Sequence, residues 1–335
     1  EANVRLLKEM FELGLFENPY RDPDEAESVV AEARSNPAIE EAHQKSVVLL
    51  KNTDGLLPLT EEKLKGKAVY VHWFGMAGDD EGVKDDALIR EKTAELIEGL
   101  GLGERGIKVT DNYTNADYAL FFVYPSSGET FNATEGFLEL GICTNKEIPN
   151  VEDGKPVSGT HLISTISEAD LIQKIADAVH ANGGKVISSV NVSLAWLVGN
   201  VETCSDAMLA GFYTLPSATM DVITGEVNPS GRLPLTLPKD DSVIEVNEDG
   251  ICVSHNDIPG YVKDRYMPEN MKDGNGKAYA YRDTDGNYYE FGFGLEYGEG
   301  GETPVDPGDT DKPGTGDGSE AEPGTGGFGS GSGGS

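Results

Sequence analysis

The chain has 335 residues, 38% hydrophobic and 25% charged, which is apolar material enough for a folded core and excludes a wholly disordered chain. Its 59 Asp and Glu against 26 Lys and Arg give a net charge of −33, so no basic excess exists to release counterions from a nucleic acid or an anionic membrane surface, and neither is an expected partner. Cys143, Cys204, Cys252 and five histidines are scattered without the spacing of a disulfide framework or a zinc site, no cofactor is implied, and no apolar run is long enough to span a bilayer. The acidity suits an extracellular or cell-surface setting, with the cytoplasm left open.

In chain order, Glu1–Gly14 reads as an amphipathic helix through Val4, Leu7, Phe11 and Leu15, with Gly14 as its stop. Because the chain opens inside this helix, it is expected to be a piece of a longer protein. A second helix is expected after Pro23. A third starts at Pro37, capped by Asn36 with Glu40 and Glu41 in its first turn, and runs through His43 to about Leu50. Then strand and helix alternate. Lys67–Trp73 is a β-type run, Asp86–Gly99 a helix, and Tyr118–Tyr124 a strand apolar at nearly every position, as burial on both faces requires. Ser167–Asn182 is a helix stopped by Gly183 and Gly184. Lys185–Val192 and Asp206–Phe212 are strands, and Pro216–Thr224 is a helix ended by Gly225. This alternation predicts an α/β fold, a mainly parallel open sheet with helices on both faces. Ligands in such sheets sit at the carboxyl ends of the strands, so the loops after Trp73, Tyr124, Val192 and Phe212 are the places for chemistry. From about Gly298 to Ser335 the chain is Gly, Pro, Asp, Thr and Ser almost throughout and is expected to be a flexible tail.

Four segments, in order, carry a family resemblance: LGLFENPY at Leu13–Tyr20, AHQKSVVLLKNTDGLLPL at Ala42–Leu59, GEVNPSGRLPLTLP at Gly225–Pro238, and YYEFGFGLEYG at Tyr288–Gly298. Together they resemble the C-terminal α/β sandwich domain of the family 3 glycoside hydrolases, the β-glucosidase-like enzymes. The resemblance implies a two-domain enzyme. A (β/α)8-like barrel carries the nucleophilic Asp, the sandwich in many members donates the acid/base Glu, and the site lies between them. On this reading residues 1–36 are a helical linker from an absent N-terminal barrel, 37–298 the sandwich and 299–335 the tail. The implied partners are that barrel and a carbohydrate with a terminal β-linked sugar. The alternative is a non-catalytic carbohydrate-binding or scaffold domain.

Retaining glycoside cleavage needs two carboxyl groups about 5 to 5.5 Å apart, one as nucleophile and one as acid/base. The resemblance puts the acid/base in the loop after a central strand. Here Tyr118–Tyr124 leads into PSSGETFNATEGFLEL, where Glu129 is the first carboxylate, Glu135 the runner-up, and Glu139 belongs to the following segment. The loop reads Gly-Glu-Thr-Phe-Asn where many members have Glu-Gly-x-Asp and then a basic residue, a departure that sets this site apart. Trp73 and Asp79 at the cleft rim and Phe131 by stacking are the expected sugar contacts. In NPSGRLP, Pro229 and Gly231 make a turn into a strand near Leu233, with Arg232 paired to nearby acids. In FGFGLEY the alternating glycines allow close approach while Phe291, Phe293 and Leu295 fill the core. Lys51 and Asn52 are expected at a domain interface, and His43 and Trp196 in the core. The sequon at Asn191 falls at the end of a buried strand, where a glycan does not fit.

Overall fold

Local chemistry fixes where the helices start and stop. The computed structural model describes residues 2–20, 22–34, 36–78, 84–126, 139–152, 155–240, 245–246, 252–254, 280–298 and 304–305. Helix α1 is Ala2–Glu12, α2 is Pro23–Arg34 and α3 is Pro37–Ser46. Gly14, at φ 67°, follows α1 in the left-handed region that ends helices. Asn36 Oδ1 accepts the Ala38 N–H at 3.0 Å, with Pro37 opening α3. α3 stops at Ser46 rather than near Leu50, because Val48–Asn52 is a strand, β1, whose residues are all buried. The apolar run Val47–Leu50 fits helix and strand periodicity alike, and pairing in the sheet decides between them.

The alternation expected from the sequence follows. After α4 (Glu61–Leu64) come β2 (Ala68–Gly75), α5 (Asp86–Gly99), β3 (Lys108–Val109), β4 (Tyr118–Tyr124) and a hairpin of β5 (Lys146–Glu152) and β6 (Lys155–Ile163). Then come α6 (Ala169–Ala181), β7 (Lys185–Asn191), α7 (Gly199–Glu202), β8 (Ala207–Gly211) and α8 (Pro216–Thr224), which Gly225 ends at φ 81°. The main sheet has the order β1-β8-β7-β4-β2-β3, with every ladder parallel except that of β1 on β8. Parallel strands need crossovers, and α5, α6 and α8 cover the two faces. Ala119, Phe121 and Val123 pack with Ile172, Ile175 and Val179 of α6, whereas Leu120 and Phe122 face the cluster of Leu96 from α5 with Met220 and Ile223 from α8. This two-sided burial is the reason β4 is apolar throughout. The structure is the expected α/β sandwich; the tail lies outside the described residues except Pro304–Val305, which pair with Glu296–Tyr297.

The C-terminal segment departs from expectation in detail. No strand forms at Leu233; its N–H donates to Phe293 O and its carbonyl accepts from Gly292, both at 2.8 Å. The glycines do allow close approach: a Cβ on Gly294 would stand 2.3 Å from Gly231 O, and one on Gly231 would stand 2.3 Å from Val47 O. Arg232 pairs with Glu296, as expected. Leu295 is buried, but Phe291 is 48% exposed and fills no core. Lys51 and Asn52 face the interior instead of an interface. Asn52 brackets Leu57 through both its amide atoms, and Lys51 Nζ stands 2.6 Å from Glu202 Oε1. Glu202 also accepts from Tyr281 Oη and from the Thr284 amide and hydroxyl. Burial pushes the Glu202 carboxyl up, and these donors outweigh it and hold the group below its ordinary value.

That pair ties β1, α7 and the C-terminal segment together. Lys51→Met, which strands a buried carboxylate, is expected to cost about 3–5 kcal/mol in chemical denaturation. Lys51→Met with Glu202→Leu should cost less than the sum of the two single changes. Strict additivity would show that the pair is not coupled.

Candidate functional site

The carboxyl ends of the parallel strands lie level across the sheet. Gly75 pairs with Tyr124, Val123 with Val190, and Asn191 with Gly211. From β2 the winding runs outward to β3, then returns across β2 to β4, β7 and β8, so the strand order reverses between β2 and β4. A reversal of this kind leaves a crevice at the carboxyl ends of the two flanking strands, because the crossovers on either side leave to opposite faces. The loop after β4, which carries the expected carboxylates, departs from this point.

The base of that loop is fixed. Ser126 N–H donates to Thr165 O at 2.9 Å on the outgoing side. On the returning side the buried Thr165 hydroxyl donates to Gly141 O at 2.8 Å and accepts from Cys143 N–H at 2.8 Å. Leu197 N–H donates to Leu140 O at 2.8 Å, fastening the same stem to the segment after β7. Glu139 closes the stem as a buried acid that accepts from Gly141 N–H and pairs with Lys146 at 2.6 Å. It is held by structural partners, in line with its reading as part of the following segment. Glu129, Glu135, Phe131 and Asp79 lie outside the described residues.

Trp73 stands at the carboxyl end of β2, half-buried, its ring stacked on Tyr124 at 6.4 Å between centroids. It lies across Gly75, where a Cβ would come within 2.1 Å of the indole. Burial pushes the Tyr124 hydroxyl up. The aromatic pair therefore stands at the reversal point. Trp196 is fully buried, as expected, and its Nε1 has no hydrogen-bond partner among the described residues. His43 is half-buried rather than a core imidazole, and its Nδ1 accepts the Leu215 N–H at 3.3 Å.

A second cluster lies on the other face of β2 and is not legible in the sequence. His72 Nε2 and Glu168 Oε2 are 3.1 Å apart, Tyr70 Oη and His72 Nδ1 are 2.9 Å apart, and Lys84 bridges Glu168 Oε1 at 2.8 Å and Asp86 at 2.6 Å. Ser167 Oγ accepts from Ala77 N–H at 2.7 Å. These contacts staple the loop after β2 to the start of α6. His72 does most to hold the Glu168 carboxyl at about 2; burial opposes it, and Lys84 adds to it. The partners are separated by up to 96 residues in sequence, and no motif joins them. Among the described residues no group of three or more His, Cys, Asp or Glu could hold a metal ion, and no helix is long and apolar enough to cross a membrane.

A depressed folded-state carboxyl pKa contributes stability that is complete above about pH 4.5 and is lost as the pH falls toward 2. Glu168→Gln should therefore lower Tm by about 3 °C at pH 7. The gap to the parent chain should narrow steadily in melts taken between pH 5 and pH 2. A gap independent of pH would mean that the carboxylate charge is not the stabilising element.

A family model described as the glycosyl hydrolase family 3 C-terminal domain matches residues 47–297. A putative β-xylosidase of Formosa agariphila is 27% identical over 317 residues, 88% of this chain and 35% of that protein. A lysosomal β-glucosidase of Dictyostelium discoideum is 25% identical over 70% of this chain and 29% of its own length. Among solved structures, a β-glucosidase from Listeria innocua in complex with glucose is 19% identical with a TM-score of 0.47, over 88% of this chain and 38% of that one. The chain thus spans about a third of the length of the curated relatives it matches.

Proposed function

The chain belongs to the glycosyl hydrolase family 3 C-terminal domain family, and on that premise we propose that it is the second domain of an enzyme that hydrolyses terminal β-linked sugars. The domain forms one wall of a cleft and supplies the acid/base, Glu129, with Glu135 next in line. The nucleophilic carboxylate comes from a preceding barrel domain of the same protein. One observation carries the reading: the Glu129 loop leaves β4 where the strand order reverses, from a stem anchored on both sides by Thr165. General acid catalysis needs a positioned carboxyl group, and stems anchored in one layer of the fold give the loop that carries it a fixed origin. The exposed apolar side chains Val4, Leu7, Phe11 and Phe16 in and just after α1 offer the preceding domain a surface to pack on.

The chemistry follows from two carboxyl groups on opposite sides of the bond. The nucleophile attacks the anomeric carbon while Glu129, protonated, gives its proton to the departing oxygen. Glu129, now a carboxylate, then takes a proton from the water that hydrolyses the glycosyl-enzyme. Trp73, Asp79 and Phe131 are the proposed sugar contacts around this event. A non-catalytic scaffold is the second reading, favoured by the Gly-Glu-Thr-Phe-Asn loop.

Glu129→Ala in the intact enzyme separates the two. Hydrolysis of an unactivated disaccharide should fall about 10²- to 10⁴-fold, and that of a dinitrophenyl glycoside, whose leaving group needs no proton, far less. Azide should restore part of the dinitrophenyl activity and yield the glycosyl azide. Undiminished disaccharide hydrolysis excludes Glu129; the same result with Glu135→Ala leaves the scaffold reading.

A further inference from the structure

At the carboxyl end of β8 one residue is held in a conformation its type disfavours. Tyr213 has φ 53°, in the left-handed region where glycine is the natural occupant, and yet the residue is 72% exposed. Packing of the ring therefore does not compensate the strain. The backbone is fixed on both sides of the phenol: Tyr213 N–H donates to Oδ1 of the buried Asn191 at 2.7 Å, and Phe212 N–H donates to Thr214 Oγ1 at 3.1 Å. Thr214 Oγ1 is also 3.1 Å from Ser46 Oγ, which fastens the corner to α3. Two residues further on, the Leu215 N–H bond to His43 Nδ1 leaves that nitrogen unprotonated, so the imidazole proton sits on Nε2. No described residue accepts from Nε2, and none pairs with the Tyr213 hydroxyl. A strained, exposed aromatic ring on a fixed backbone, with a free donor held by the backbone two residues further on, points to a role outside this domain.

We propose that Tyr213 is a sugar-stacking residue that reads the leaving-group side of an oligosaccharide, with His43 Nε2–H as the neighbouring donor. The inference rests on the hydrolase reading above. The acid/base stands on the leaving-group side of the scissile bond, so the sheet edge that carries its loop faces the units being released. β8 is two strands from β4, about 10 Å along that edge. That offset places Tyr213 beyond the reacting sugar and over a more distant unit. A pyranose presents axial C–H groups to an aromatic face and hydroxyls to polar groups at its rim, the combination that this corner offers.

The test uses a change that relieves the strain while removing the ring. Tyr213→Gly, with Tyr213→Asn as a second strain-tolerant variant, should keep Tm at the parent value or raise it by about 1–3 °C. In the intact enzyme, the ratio of kcat/KM for the trisaccharide to that for the disaccharide should fall about tenfold, mainly through KM, in the cello- or the xylo-oligosaccharide series. Tyr213→Trp should restore it. An unchanged ratio in the stable Gly variant overturns the proposal. If the unaltered enzyme cleaves none of these sugars, the hydrolase reading fails separately, and Tyr213 is judged by titration with cellotetraose and xylotetraose. Equal affinity in parent and Gly variant, or none in either, also overturns it.

Discussion

The proposed site depends on the reversal of strand order between β2 and β4. A parallel sheet wound in one direction buries its strand ends beneath successive crossovers, whereas a reversal sends neighbouring crossovers to opposite faces and opens a crevice. At this point β4 is buried on both faces and held in register by β2 and β7. A strand so constrained cannot slide or twist freely, and the loop leaving it inherits a fixed origin. Thr165 provides the second fixed point, so the Glu129 loop has both stems anchored to the same rigid layer.

The elements legible in the sequence were those with one dominant physical signal. β4 is apolar throughout, α5 matches its expected range, and α8 runs from Pro216 to the glycine that stops it. The strand β1 was not legible, because Val47–Leu50 directly follows a well-capped helix and only the antiparallel partner β8 shows that the chain has turned into the sheet. The β5–β6 hairpin was invisible for the opposite reason. Its strands are largely polar and exposed, with Pro149 inside β5, so neither alternation nor β-propensity marks them. Phe291 was placed inside by its spacing with Phe293 and Leu295, but the glycine turn at Gly292 carries it outward.

At the site, sequence reasoning could name a loop but not its supports. Thr165, Glu168 and Asn191 act through partners brought together only by the fold. The position of Asn191 at the end of a buried strand argues against its sequon, but only the fold shows its side chain holding the Tyr213 backbone. The overall acidity likewise hides how the few basic residues are used. Lys51 is buried against Glu202, and Lys84 joins Glu168 and Asp86 across two elements. The surplus of carboxylates makes any one acid hard to single out by composition; its position at the strand-order reversal distinguishes the Glu129 loop.

The central claim is that this chain holds one half of a hydrolytic pocket. The most direct measurement compares turnover of nitrophenyl β-glucoside and β-xyloside by the 335-residue chain alone and by the same chain joined to the proposed barrel domain. The account predicts activity in the joined form and none above background in the isolated chain. Turnover by the isolated chain, abolished by substitutions within it, would contradict the account.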